Sequence, residues 1–229
     1  MKTIGLIGGM SWESTALYYQ WINQGVAERL GGLHSAKILM ASVDFAEIGA
    51  KQKAGKWDDL AAQLGDIAKK LQTAGADCIL ICTNTMHKVA PQVALEIKIP
   101  LLRIATPTTA AIKAASLHTV GLLGTKFTMS ETFMRERYAA EGVRCVVPDE
   151  AVQDEIHRII FEELCRGIIS DSSRETLVRA CNSLREQGAQ GIVLGCTELT
   201  LSVKAQHLAL PLFDTTALHA KAAVDFALS

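Results

Sequence analysis

The sequence predicts an α/β protein of two pseudo-symmetric halves, each a roughly four-stranded parallel sheet flanked by helices, with a functional cleft between them. Three observations predict it. Short apolar runs alternate with longer amphipathic runs, as in a doubly wound parallel sheet. The order of those runs occurs twice. Glycine and small polar residues cluster just after the apolar runs, where parallel α/β sheets bind their ligands.

The elements follow in order. Thr3–Ile7 reads as the first strand, closing on Gly8-Gly9. A helix follows, with Tyr18, Ile22, Val26 and Leu30 at steps of four on one face and a stop at Gly31-Gly32. Ile38–Val43, Cys78–Ile81 and Leu101–Ile104 complete the first set of strands; Val120–Leu123, Arg144–Val147, Ile192–Leu194 and Leu210–Phe213 form the second. All are short, apolar and bounded by Gly, Pro or polar residues, as strands buried on both faces are.

The repeat is visible in three stretches. TIGLIGGMS (3–11) matches TVGLLGTKF (119–127), AGADCILICTNT (74–85) matches QGAQGIVLGCTE (187–198) without gaps, and IPLLRIATPTTAA (99–111) resembles LPLFDTTALHAKA (210–222). The spacing between partners is nearly constant. The expected halves are therefore 1–105 with 215–229, and 106–214. Within the second match, Thr83 pairs with Cys196, and Cys82 pairs with Gly195.

Composition excludes several classes. The 229 residues are 49% hydrophobic and 21% charged, with a formal net charge of −1. No basic run offers a surface to nucleic acid. No stretch approaches the roughly 20 apolar residues of a membrane span. The N-terminal apolar run is too short for a secretory signal and reads as a strand. Six cysteines, at 78, 82, 145, 165, 181 and 196, form no C-x-x-C and suit reduced thiols in a cytoplasm. No Cys/His cluster has metal-ligand spacing, so no metal is expected. Neither G-x-G-x-x-G nor a P-loop is present, which leaves nucleotide binding poorly supported.

The strand-end loops are Gly8-Gly9-Met10-Ser11, Thr83-Asn84-Thr85, Gly124-Thr125 and Cys196-Thr197-Glu198. Their hydroxyls and amide have a plain reading as helix caps. The functional reading is a carboxylate held by side chains and free N–H groups at helix starts. Cys196 is the sharper signal. At a strand end before a helix, a thiol pKa is expected to fall from about 8.5, giving a base or a nucleophile. A Cys–His arrangement would need His87 or His219, and neither spacing forces contact.

With these residues assembled, the chain resembles the aspartate/glutamate racemases that use no pyridoxal cofactor. The resemblance rests on G-L-I-G-G-M-S (5–11), C-T-N-T-M-H-K (82–88) and G-C-T-E (195–198), and spans essentially the whole chain. It is nearest to the broad-range and L-aspartate/glutamate-directed bacterial members. It implies one catalytic residue from each half, on opposite faces of an amino acid substrate. Here those positions are Thr83 and Cys196, because the family's first cysteine position is occupied by Thr83. Taking a hydroxyl at ~15.7 against a thiol at ~8.5, Thr83 lags by roughly 7 pKa units, or about 10 kcal/mol of driving force. The implied enzyme is thus asymmetric, with Cys196 deprotonating the L-enantiomer. The resemblance further implies Asn84, Thr85 and Thr197 as carboxylate and amine partners. Met10, Ser11, Thr125 and Glu198 line the site, and Gln52 and Arg166 read the substrate side chain. Gln52 stands where strict aspartate racemases tend to carry arginine, which makes a broader range plausible. Two alternatives stay open: a single-cysteine decarboxylase of malonate-type acids, and an amino-acid-binding protein without turnover. A cytoplasmic homodimer without cofactor completes the expectation.

Overall fold

The computed structural model describes residues 1–229, which divide into two compact units, Met1–Ile104 with His219–Ser229, and Ala105–Leu218. The first unit runs β1 (Ile4–Gly8), α1 (Trp12–Leu30), β2 (Ile38–Ser42), α2 (Phe45–Lys53), α3 (Trp57–Thr73), β3 (Cys78–Ile81), a 3-10 turn (Thr85–Lys88), α4 (Ala90–Leu95) and β4 (Leu101–Leu102). The second runs α5 (Ala105–Ala114), β5 (Thr119–Gly124), α6 (Lys126–Ser130), α7 (Thr132–Ala140), β6 (Arg144–Val146) and α8 (Glu150–Arg158). It continues through a π turn (Ile159–Glu163), a 3-10 turn (Leu164–Arg166), α9 (Asp171–Glu186), β7 (Ile192–Gly195), α10 (Leu199–Ser202), a 3-10 turn (Ala205–His207) and β8 (Leu212–Asp214). Helix α11 (Thr215–Leu228) returns the chain to the first unit.

Each unit holds a four-stranded parallel sheet, ordered β2-β1-β3-β4 and β6-β5-β7-β8. The sequence repeat is thus a repeat of topology. In the first sheet Ile7 lies beside Ile81, and in the second Gly124 lies beside Gly195. Neighbouring parallel strands therefore release their loops side by side, at the carboxyl edge where such sheets bind ligands.

Period-two alternation explains how each strand is covered. Along β3, Cys78 and Leu80, continued by Cys82, pack with Ile4, Leu6, Tyr18, Ile22 and Val26, and with Ala223 and Val224 of α11. Ile79 and Ile81 point the other way, into a cluster with Leu60, Leu64, Ala68 and Leu71 of α3. Those α3 positions recur every three or four residues, so one helical stripe meets one sheet face. In the second unit, Ile192 and Leu194, continued by Cys196, pack with Ile156, Ile159, Leu177, Cys181 and Leu184.

Two expectations need correction. Helix α1 buries Tyr18, Ile22 and Val26, but Leu30 is 44% exposed. The helix ends there: Gly31 takes φ 72° and donates its N–H to the Ala27 carbonyl. The last strand begins at Leu212 rather than Leu210. Pro211 lacks an N–H for the ladder, though its carbonyl still accepts from the Ile192 N–H at 2.8 Å. No helix is long and apolar enough to cross a membrane.

Candidate active site

The first unit gathers Met10, Ser11, Gln52, Thr83, Asn84 and Thr85. After β1 the chain turns at Gly9, whose φ is +88° and where a Cβ would collide with the Val43 backbone. Only glycine suits both demands. Met10 is buried, and the Met10–Ser11 peptide bond is cis. Ser11 caps α1 by accepting the Ser14 N–H at 3.3 Å. Thr15 secures the same turn: its hydroxyl accepts from the Gly9 N–H and donates to the Ser11 carbonyl, both at 2.8 Å.

After β3, the Cys82 N–H donates to the Ile7 carbonyl, and the Thr83 N–H folds back onto the Ile81 carbonyl, each at 2.9 Å. Cys82 is fully buried among apolar side chains, and burial alone pushes its thiol pKa far up. It is a packing residue of the strand. Thr83 is only half-buried, whereas Asn84 and Thr85 are buried. Gln52, buried on α2, donates to the Met86 sulfur at 3.1 Å, which ties α2 to this loop.

The second unit gathers Thr125, Cys196, Thr197 and Glu198, with Arg166 on a separate turn. Thr125 caps α6 by accepting the Thr128 N–H at 3.3 Å. Cys196 is 8% exposed. Its thiol donates to the Glu198 carboxylate at 2.9 Å, and the Thr197 hydroxyl donates to the same oxygen at 2.9 Å. Glu198 and Thr197 are each 5% exposed, so this cluster is shielded.

This geometry reverses one expectation. The Cys196 thiol pKa is raised, not lowered. Burial is the largest cause, followed by the negative charge of Glu198 and the neighbouring Cys165. The helix after Cys196 is only Leu199–Ser202, with Glu198 rather than Cys196 at its cap, so a carboxylate outweighs the helix start. A thiol hydrogen-bonded to a carboxylate can pass its proton to that carboxylate while the sulfur takes another.

Arg166 ends the 3-10 turn and is exposed; Gly167 follows in the left-handed region at φ 72°. The turn is anchored by Glu163. Its carboxylate accepts from Ser173 at 2.5 Å, Ser170 at 3.2 Å and Arg158 at 2.9 Å. Sequence reasoning missed this anchor, because the intervening π turn shifts the helical register.

Neither histidine serves as a cysteine partner. The Ile104 N–H donates to His87 Nε2 at 3.0 Å, which leaves Nδ1–H to donate to the Thr83 carbonyl at 2.8 Å. His219 accepts from the Tyr18 hydroxyl at Nδ1 and donates to the Leu102 carbonyl from Nε2, both at 2.8 Å. No group of three or more His, Cys, Asp or Glu residues is arranged to hold a metal ion.

Residues 7–223 match the Asp/Glu/hydantoin racemase family. A crystal structure of a candidate Asp/Glu racemase from Yersinia pestis is 51% identical, with each chain covered in full and a TM-score of 0.94. An aspartate racemase homologue from Pyrococcus horikoshii OT3 is 33% identical over the full length of both chains, with a TM-score of 0.87. Arylmalonate decarboxylase, 15% identical over 98% of this chain and 92% of its own with a TM-score of 0.54, shares the fold alone. The chain belongs to the Asp/Glu/hydantoin racemase family and is an amino-acid racemase.

Proposed function

We propose that this protein interconverts the enantiomers of acidic amino acids without a cofactor, Cys196 and Thr83 serving opposite faces of the substrate Cα. The observation that carries this reading is the buried hydrogen bond from the Cys196 thiol to the Glu198 carboxylate, at 2.9 Å. As the sulfur takes the α-proton of the L-enantiomer, the thiol proton passes to Glu198. No free thiolate has to persist beside the carboxylate. The carbanion then accepts a proton from the Thr83 hydroxyl, which is replenished from water, and Glu198 returns its proton to solvent, so that the cycle closes with no net gain or loss of protons. Return through Thr83 is the harder step, because a hydroxyl is a far weaker acid than a thiol.

The two enantiomers are equal in free energy, so kcat/KM must be the same in both directions. The asymmetry of the pair therefore appears in exchange of each enantiomer with solvent, not in net racemisation. Asn84, Thr85 and Thr197 suit the α-carboxylate and amine. Met10, Ser11 and Thr125 line the neighbouring loops. Arg166 suits a second carboxylate through its fork of donors. Gln52, an amide in place of a cation, supports a range wider than aspartate alone. The same reading includes a cytoplasmic homodimer, which sedimentation equilibrium tests.

Deuterium incorporation at Cα of L- and D-aspartate and L- and D-glutamate in D2O is the test. The expected result is rapid exchange of the L-enantiomers, slower exchange of the D-enantiomers and slow inversion. Cys196→Ser is expected to abolish L-side exchange while ligand binding persists, since serine supplies no comparable base near neutral pH. A decarboxylase is the second reading, favoured by Thr83 in the first cysteine's place. Carbon dioxide release from a malonate without amino-acid exchange would establish it, and binding with neither reaction would leave a binding protein.

A further inference from the structure

We propose that His87 is a positioning residue for Thr83, acting through the Thr83 carbonyl as the neutral Nδ1–H tautomer. The proposal rests on the reading of Thr83 as the residue serving the D-face. Contacts on several sides hold the ring. Nδ1–H grips the Thr83 carbonyl at 2.8 Å, Nε2 accepts the Ile104 N–H at 3.0 Å, and the ring edge meets the His219 ring at a centroid distance of 5.8 Å.

His219 is held in turn by the Tyr18 hydroxyl and the Leu102 carbonyl. The two rings thereby grip Leu102 and Ile104, the backbone just after β4, and only His87 reaches forward to the catalytic loop. Both side chains are buried, and with Nε2 accepting the Ile104 N–H the His87 ring carries its one proton at Nδ1. The neutral tautomer is accordingly built in. Its consequence is local. Thr83 follows a four-residue strand, and its N–H turns back to the Ile81 carbonyl. The imidazole fixes the other side of the same residue, so the peptide carrying the hydroxyl is pinned at its N–H and at its C=O. A hydroxyl that must meet Cα within near-attack distance loses rate steeply when displaced.

Substitutions separate this role from general packing. In His87→Asn the amide sits near the Nδ1 position and keeps a donor for the Thr83 carbonyl while losing Ile104. In His87→Gln the amide reaches toward the Nε2 position, keeps a partner for Ile104 and loses the bond to Thr83. We expect His87→Gln to cut D-side Cα exchange by about tenfold or more, with His87→Asn several-fold less affected. L-side exchange, which depends on Cys196, should stay near the wild-type rate in both. Equal loss of both exchanges in both variants would reduce His87 to a packing residue. Unchanged D-side exchange in folded His87→Gln would equally overturn the proposal. Thr83→Val distinguishes its premise: if D-side exchange survives there, the Thr83 assignment itself fails.

Discussion

Cys82 and Cys196 show how one residue type takes two roles. Both continue the inward-facing parity of a buried strand. Cys82 packs within an apolar cluster, and burial alone raises its pKa. Cys196 meets a carboxylate two residues on, which gives its proton a destination. Cys82→Ser is therefore expected to lose about 1–3 kcal/mol, the cost of placing a hydroxyl in an apolar cluster, while L-side exchange remains measurable. If it instead kills exchange in a folded protein, with Cys196→Ser active, the roles are reversed. Thr83→Cys tests the other face: restoring a thiol should raise D-side exchange most, and racemisation with it. A folded variant with unchanged D-side exchange would count against Thr83 as the weak partner. The strand-end candidates were legible because polar residues there and the repeat register stand out in the sequence, whereas Gln52, on α2, and Arg166, on a 3-10 turn, were singled out by the family resemblance alone. The direction of the Cys196 pKa was not, since it depends on Glu198 turning back on the preceding thiol.

At the scale of elements, the loops do two jobs with the same side chains. Ser11 caps α1 and Thr125 caps α6, yet both stand at the carboxyl edge of their sheets. Capping and substrate contact can be separated by chemistry. Ser11→Ala should lower unfolding free energy by about 1 kcal/mol, and Ser11→Asn should restore it, since asparagine caps as well as serine. A substrate contact would show as a raised KM in both variants; a KM at the wild-type value in Ser11→Asn would leave Ser11 a cap alone. The central strands were legible within a few residues because runs such as Cys78–Ile81 and Ile192–Gly195 are uniformly buried and so uniformly apolar; edge strands such as Ile38–Ser42 and Arg144–Val146 are only partly buried and were legible from the strand–helix alternation and the repeat. The π turn at Ile159–Glu163 was not. There Ile156, Ile159, Ile160 and Leu164 all reach one cluster, and packing, rather than spacing, decides where the extra residue is absorbed.

Across the whole molecule, pH dependence of stability should come from buried groups rather than from net charge, which is only −1. The ion pairs Lys69–Glu96, Arg29–Asp225 and Lys113–Glu141 lie at the surface, where such pairs contribute little. His219 is different. Burial, and then the neighbouring His87, lowers its pKa from 6.5 to about 3. Well above pH 6.5 the ring is neutral in both folded and unfolded chains, so there it adds no pH dependence. Below that the unfolded chain takes up a proton that the folded protein refuses, and stability falls as pH falls. For one such group the loss between pH 7 and pH 5 is about 2 kcal/mol. The half-buried His157, also lowered by burial, acts in the same direction. A comparison with His219→Gln isolates the contribution of His219, because His157 is common to both proteins. Glutamine can keep a donor for the Leu102 carbonyl but binds no proton. Denaturant unfolding at pH 7, 6 and 5 should therefore show the wild type losing about 2 kcal/mol more than the variant. Parallel losses would mean that His219 titrates normally in the folded protein, and that its two hydrogen bonds do not hold it neutral.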